Sequence, residues 1–148
     1  MKPFTDASFI VAVFSSSDEH NKTAWRWWNK HGGAICTTRL VLFEAENTIR
    51  GFPLNQKCTE VQARTWIEGI QRAVMEGLIE RKEAPFHRVL PMARRLSLHH
   101  TVKATFGAMD ILHVAAALDL HAEKFVSFDE RQNEMAAQEG LVTLPRNR

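Results

Sequence analysis

Three aspartates stand where helices open. Asp6 follows KPFT and precedes SFIVAVF, Asp110 lies in the first turn of AMDILHVAAAL after Gly107, and Asp129 follows KFVSF and precedes ERQNEMAAQ. Each has a local explanation, because a carboxylate there accepts backbone N–H groups of the first turn and suits the positive end of the helix dipole. For Asp129, Gln132 three residues on completes a capping-box-like pair. A fourth acid belongs to TTRLVLFEAENTIRG, where Val41, Leu42, Ala45 and Ile49 share one side of a helix. Glu44 and Glu46 flank that stripe on opposite edges, and periodicity leaves both open.

Taken together, these acids suggest a site. One ends the first strand, one rides the helix after the second, and two lie near the fourth. Two carboxylates ~4 Å apart repel by about 4 kcal/mol even at an effective dielectric near 20, so a converging set persists where cations neutralise it. Hard oxygen donors with little His or Cys nearby suit Mg²⁺ or Mn²⁺ rather than zinc.

The elements that must position these acids alternate in type. Strands are expected at residues 2–5, 34–37, 78–82, 125–128 and 141–144. Helices are expected in SFIVAVF, KTAWRWWNKH, residues 39–50, TEVQARTWIEGIQRAVMEG, HRVLPMARRLSLHH, 109–121 and 130–138. This alternation predicts an α/β domain of three layers, α/β/α, around a mainly parallel sheet of four to five strands. Ligands of such sheets bind beyond the carboxyl ends of the strands, where the aspartates stand.

The 148 residues are expected to form a single domain, 1–148, with order throughout except in the closing PRNR. Apolar content of 45% and charged content of 24% are those of an ordinary globular chain. Nineteen Lys and Arg against seventeen Asp and Glu leave a net charge of +2, too small to announce a nucleic-acid protein. If the acids gather in one site, however, the remaining surface is more basic than the sum suggests. The apolar runs fall short of the ~20 residues needed to span a bilayer, and MKPFTDAS lacks a signal-peptide pattern, so a cytoplasmic protein without membrane association is expected. Cys36 and Cys58 form no metal-type cluster and are expected as reduced thiols.

FTDAS, TTRLVLFEAENTIR, AMDILHVAAAL and KFVSFDERQ, in this order and spacing, resemble the PIN-domain nucleases, and within them the VapC-like toxins of toxin–antitoxin pairs. An Asp-x-x-His-x-Ala-x-Ala-Leu helix followed by a strand ending in Ser-Phe-Asp carries most of the specificity. The resemblance implies an acidic quartet of Asp6, Glu44, Asp110 and Asp129, favouring Glu44 over Glu46. It places the family's Thr at Thr38. The implied activity is metal-dependent endoribonuclease cleavage of RNA with one or two Mg²⁺ or Mn²⁺ ions. Asp6, Glu44 and Asp110 would be the principal ligands and Asp129 would complete a second position. The implied partners are an RNA substrate, a VapB-like antitoxin and a second copy in a homodimer. Alternatives are a PIN domain of RNA processing and a non-cleaving RNA- or antitoxin-binding module. A phosphoacceptor of receiver type needs an acidic pair after the first strand, and FTDAS has one acid.

Around this quartet, Thr38 and Ser127 are candidates to orient a ligand or to cap backbone groups. His113, one turn from Asp110, is expected as a packed or supporting group rather than a general acid. Related sequences often carry an Arg just before the helix Asp, where this chain has Thr105 and Gly107. Phosphate contacts are therefore sought in Arg39, Arg94, Arg95, His99, His100 and Lys103. On the WRWW helix, Trp25 and Trp28 are expected in the core with Asn21 and Ala24, and Trp27 on another side as a protein contact.

Overall fold

A parallel sheet needs cover on both faces, because the crossovers that join its strands lay helices against it. The computed structural model, which describes residues 1–146, meets this demand; Asn147 and Arg148 of the PRNR tail lie outside the described residues. Five parallel strands form one sheet: β1 (Phe4–Thr5), β2 (Ile35–Thr38), β3 (Ile79–Lys82), β4 (Lys124–Val126) and β5 (Val142–Leu144), in the order β3-β2-β1-β4-β5. Each falls within, or within one residue of, its expected segment.

Among the described residues, seven α-helices flank the sheet and give three layers. Between β1 and β2 lie α1 (Ala7–Phe14) and α2 (Asn21–His31), and between β2 and β3 lie α3 (Arg39–Gly51) and α4 (Glu60–Met75). The long return to β4 contains α5 (Phe86–Leu96), a π-helical turn at Ser97–Thr101 and α6 (Ala108–Asp119); α7 (Glu130–Gln138) joins β4 to β5. Helix α1 packs against α2, α3 and α4, and α6 packs against α5 and α7.

Local sequence accounts for these helices. A capping box of Thr59 and Gln62 starts α4, whose Ala63, Ile67, Ile70 and Ala73 recur at helical spacing and are buried. Helix α2 stops at Gly32, whose φ of 70° is a left-handed conformation that glycine adopts without a Cβ penalty. In α1, Ala7 and Phe9–Val13 are buried, and in α6 so are Ile111 and His113–Ala117, which makes these two helices the floor of the domain. Full burial of a Phe such as Phe4, Phe9 or Phe125 stabilises the fold by roughly 2–3 kcal/mol.

The tryptophan expectation needs correction. Trp28 is buried with Ala24, but Trp25 is 44% exposed and stacks on the outside of Trp28 at 6.1 Å. Trp27, expected to point away, is half-buried and meets the core Phe9 edge-on at 5.3 Å. The face that α1 covers runs through Asn21, whose side-chain amide donates to the Ala12 and Val13 carbonyls at 2.8 and 3.1 Å, and through Ala24, Trp27 and Trp28, but not through Trp25.

The strand order fixes where a ligand can enter. From β1 the chain builds outward to β2 and β3, then returns across the sheet and builds the opposite way through β4 and β5. Right-handed crossovers place the two sets of helices on opposite faces, so the chain diverges between β1 and β4. Such a switch point leaves a crevice beyond the carboxyl ends of its two strands. Phe4 pairs with Phe125 and Thr5 with Val126, and the Asp6 N–H donates to the Val126 carbonyl at 3.2 Å. The residues that leave the sheet at this crevice are therefore Asp6 on one side and Ser127 to Asp129 on the other.

Candidate active site

Asp6 is the N-cap of α1, and its carboxylate is surrounded by donors. Oδ1 accepts the Phe9 N–H at 3.1 Å, the Ser8 hydroxyl reaches both oxygens at 2.8 and 2.9 Å, and the Ser127 hydroxyl donates to Oδ2 at 2.6 Å. The two hydroxyls in turn accept backbone N–H groups of the β4–α7 turn, Ser8 from Phe128 and Ser127 from Asp129, both at 2.9 Å. A carboxylate that accepts three donors ordinarily titrates low. Here burial wins, and the Asp6 carboxyl is pushed up to about 6 despite those hydrogen bonds.

Across the crevice, Asp110 occupies the first turn of α6. Burial pushes its carboxyl up, and the negative charges of Asp129 and Glu44 push it further, while His113 pulls it down. Asp110 thus feels two acids that are 66 residues before it and 19 after it in the chain. Asp129 caps α7 by accepting the Gln132 N–H at 3.1 Å. Gln132 is buried and does not close the reciprocal half of the box; its side-chain amide donates to the Asp110 carbonyl at 3.2 Å, and its Oε1 lies 3.4 Å from the Ser127 hydroxyl. One side chain therefore ties α6, β4 and α7 together.

On α3, Glu44 is half-buried and hydrogen-bonds through Oε2 to Nε2 of His113, which is 2% exposed. Glu46 pairs instead with Arg50 at 3.5 Å. The donor set at the crevice consists of carboxylate oxygens with supporting hydroxyls, which suits a hard divalent cation. A cation would also relieve the repulsion that Asp110 feels. Among the described residues, no three His, Cys, Asp or Glu side chains are drawn close enough to form a ready-made metal cage. Asp110 lies in the field of Asp129 and Glu44, while the Asp6, Glu44 and Asp129 carboxylates are held by hydrogen bonds of their own.

The PIN domain family matches residues 4–138. This chain is a PIN domain. Its fold is shared by VapC20 of Mycobacterium tuberculosis, a sarcin-ricin loop cleaving toxin, with a TM-score of 0.70 at 18% identity over 97% of this chain and 100% of that one. No curated protein gives a significant sequence match.

The PIN domain does not bring all the sequence candidates together. Thr38 caps α3 by accepting the Val41 N–H at 3.3 Å. It borders a cavity of about 410 Å³ with His113 and Arg39, whose guanidinium pairs with Glu83 at 3.1 Å. Arg94, His99 and Lys103 are exposed on α5 and the segment after it. Arg95 and His100 do not fit the role of phosphate contacts at the mouth of an acidic pocket. Arg95 binds Glu139 at 2.7 Å, and His100 is buried with Nε2 3.5 Å from the same carboxylate. Glu139 follows the C-terminal end of α7, about 14 Å along the nine-residue helix from the Asp129 end.

Two polar residues of the site escape a sequence reading. Ser8 reads as an ordinary first-turn serine, and Gln132 as half of a cap. Gln132 carried a usable signal, since it stands three residues after a strand-ending aspartate.

Proposed function

We propose that this PIN domain is a Mg²⁺- or Mn²⁺-dependent endoribonuclease, the toxin of a toxin–antitoxin pair. It would act in the cytoplasm as a homodimer and be held inactive by a VapB-like antitoxin. What supports this reading is that Asp110 feels the charges of Asp129 and Glu44, and that Glu44 and Asp129 line one cavity with Ala7 and Ser8, the residues that follow the buried Asp6. The toxin role draws on the likeness to VapC20, whose own target is the sarcin-ricin loop.

Asp6, Glu44 and Asp110 would hold the cation, with Asp129 completing a second position. A bound divalent ion supplies Lewis-acid activation of water and stabilises charge on the leaving oxygen. The protein's part is positioning. Ser8, Ser127 and the Phe9 N–H fix the Asp6 carboxylate, Thr38 anchors the start of the helix that carries Glu44, and His113 sets the rotamer of Glu44. Arg39, Arg94, His99 and Lys103 would supply phosphate contacts that hold RNA without reading its sequence.

The test is cleavage of mixed-sequence RNA by purified protein. Cleavage is expected with Mg²⁺ or Mn²⁺, and chelator, Asp6→Asn or Asp110→Asn should each abolish it. Folded protein that binds RNA but leaves it intact with both ions would instead establish a non-cleaving binding module.

A further inference from the structure

Glu44 and Asp129 also line a second feature, a cavity of about 370 Å³ that they share with Lys57, His20 and Phe128. The volume falls in the range of small-molecule pockets and accommodates one nucleotide. Two loops contribute to its lining, the α1–α2 loop through Asp18 and His20 and the α3–α4 loop through Lys57. The Ser17 hydroxyl donates to the Lys57 carbonyl at 3.3 Å, joining the α1–α2 loop to the α3–α4 loop, and the Lys57 ammonium lies 5.0 Å above the Phe52 ring.

Beside Lys57 is an aromatic column that begins in the core and ends in solvent. Phe9 stacks on Phe128 at 6.1 Å, and Phe128 stacks on His20 at 4.4 Å with only 5° between the planes. The His20 side chain is 44% exposed. Asp18 also borders the cavity, but its carboxylate accepts the His20 N–H at 2.8 Å and holds this loop in its turn. The cavity therefore sets a cation and a fixed flat ring beside the acids. Single-stranded nucleic acids are gripped by this combination, with phosphate on a cation and a base on a ring.

We propose that this cavity is the subsite for the nucleotide next to the scissile phosphodiester. Lys57 holds that nucleotide's phosphate, and His20, backed by Phe128, receives its base. This rests on the nuclease function proposed above and adds to it where the RNA runs: away from the acids between the α1–α2 and α3–α4 loops.

The experiment is binding of a short fluorescein-labelled single-stranded RNA in chelator, read by anisotropy across salt concentrations, alongside cleavage kinetics with Mg²⁺. Lys57→Ala should weaken binding about three- to tenfold and make the slope of log affinity against log salt shallower by about one, with Lys57→Arg restoring both. His20→Ala should weaken binding about tenfold without changing the salt slope, and His20→Phe should retain it. Both losses should fall on KM more than on kcat. Arg64→Ala, in a separate cavity between α3 and α4, should change neither. Wild-type RNA binding and cleavage with unchanged affinity in Lys57→Ala and His20→Ala would overturn the subsite while leaving the nuclease standing. RNA neither bound nor cut by the wild type would remove both.

Discussion

Asp6→Asn should make the metal-free protein more stable at neutral pH while destroying its activity. An ordinary aspartate titrates near 3.8, and Asp6 in the fold titrates near 6. At 1.36 kcal/mol per pH unit, the ionised carboxylate costs the native state about 3 kcal/mol relative to the unfolded chain. The native state binds this proton more tightly than the unfolded state does. Its contribution to stability is therefore complete below about pH 4 and is lost as pH rises through 6. Asparagine carries no charge to bury, and its carbonyl can still cap α1 through the Phe9 N–H. Its amide would point toward Ser127, whose hydroxyl can turn to Gln132 Oε1, 3.4 Å away. Allowing for imperfect hydrogen bonding, Asp6→Asn should gain about 1–3 kcal/mol at pH 7–8, or several degrees in Tm for a chain of this size. The gain should fade as pH falls toward 4. Urea unfolding in chelator across that pH range measures it. A variant less stable than wild type at pH 7, or equally stabilised at pH 4 and 7, would refute the account of Asp6 as a desolvated, strained anion.

Two further substitutions probe the supporting contacts. His113→Leu fills similar space but frees Glu44, so Mn²⁺ affinity measured by calorimetry should fall 10- to 100-fold, with partial recovery in His113→Gln; unchanged affinity would reduce His113 to a packing residue. Gln132→Leu removes the tie between α6 and the start of α7, and should cost about 1–2 kcal/mol of stability and roughly tenfold in kcat with RNA affinity retained, whereas a loss confined to affinity would contradict a positioning role.

The strands and helices were legible because their signals are local. Even β3, the polar LIERK segment, sits at the edge of the sheet, where a strand needs cover on fewer sides and Arg81 and Lys82 can face solvent. Of the α2 tryptophans, Trp28 was legible but Trp25 and Trp27 were not, because a helical wheel gives angles between side chains but not the direction from which α1 arrives. Trp27 against Phe9 is a contact between helices, and no spacing within WRWW encodes it. In the site, the three aspartates announce themselves by standing at element ends and mid-helix Glu44 is singled out by the family resemblance, whereas the roles of Ser8 and Gln132 depend on the register that sets Thr5 beside Val126. His113 lies in between: the Asp-x-x-His spacing puts it on the face of Asp110, but its partner Glu44 comes from a helix 69 residues earlier.

The two-residue strand β1 sits in the middle of the sheet although it precedes its four partner strands in the chain, and it receives β4 only after more than a hundred further residues have been added. Until then Asp6 lacks Ser127, Asp110 lacks Gln132, and no crevice exists to enter. The site is thus a product of long-range closure, which couples its appearance to the arrival of β4 and α7 in the chain. A nascent or truncated chain ending before residue 127 carries three of the four acids and none of the assembled site.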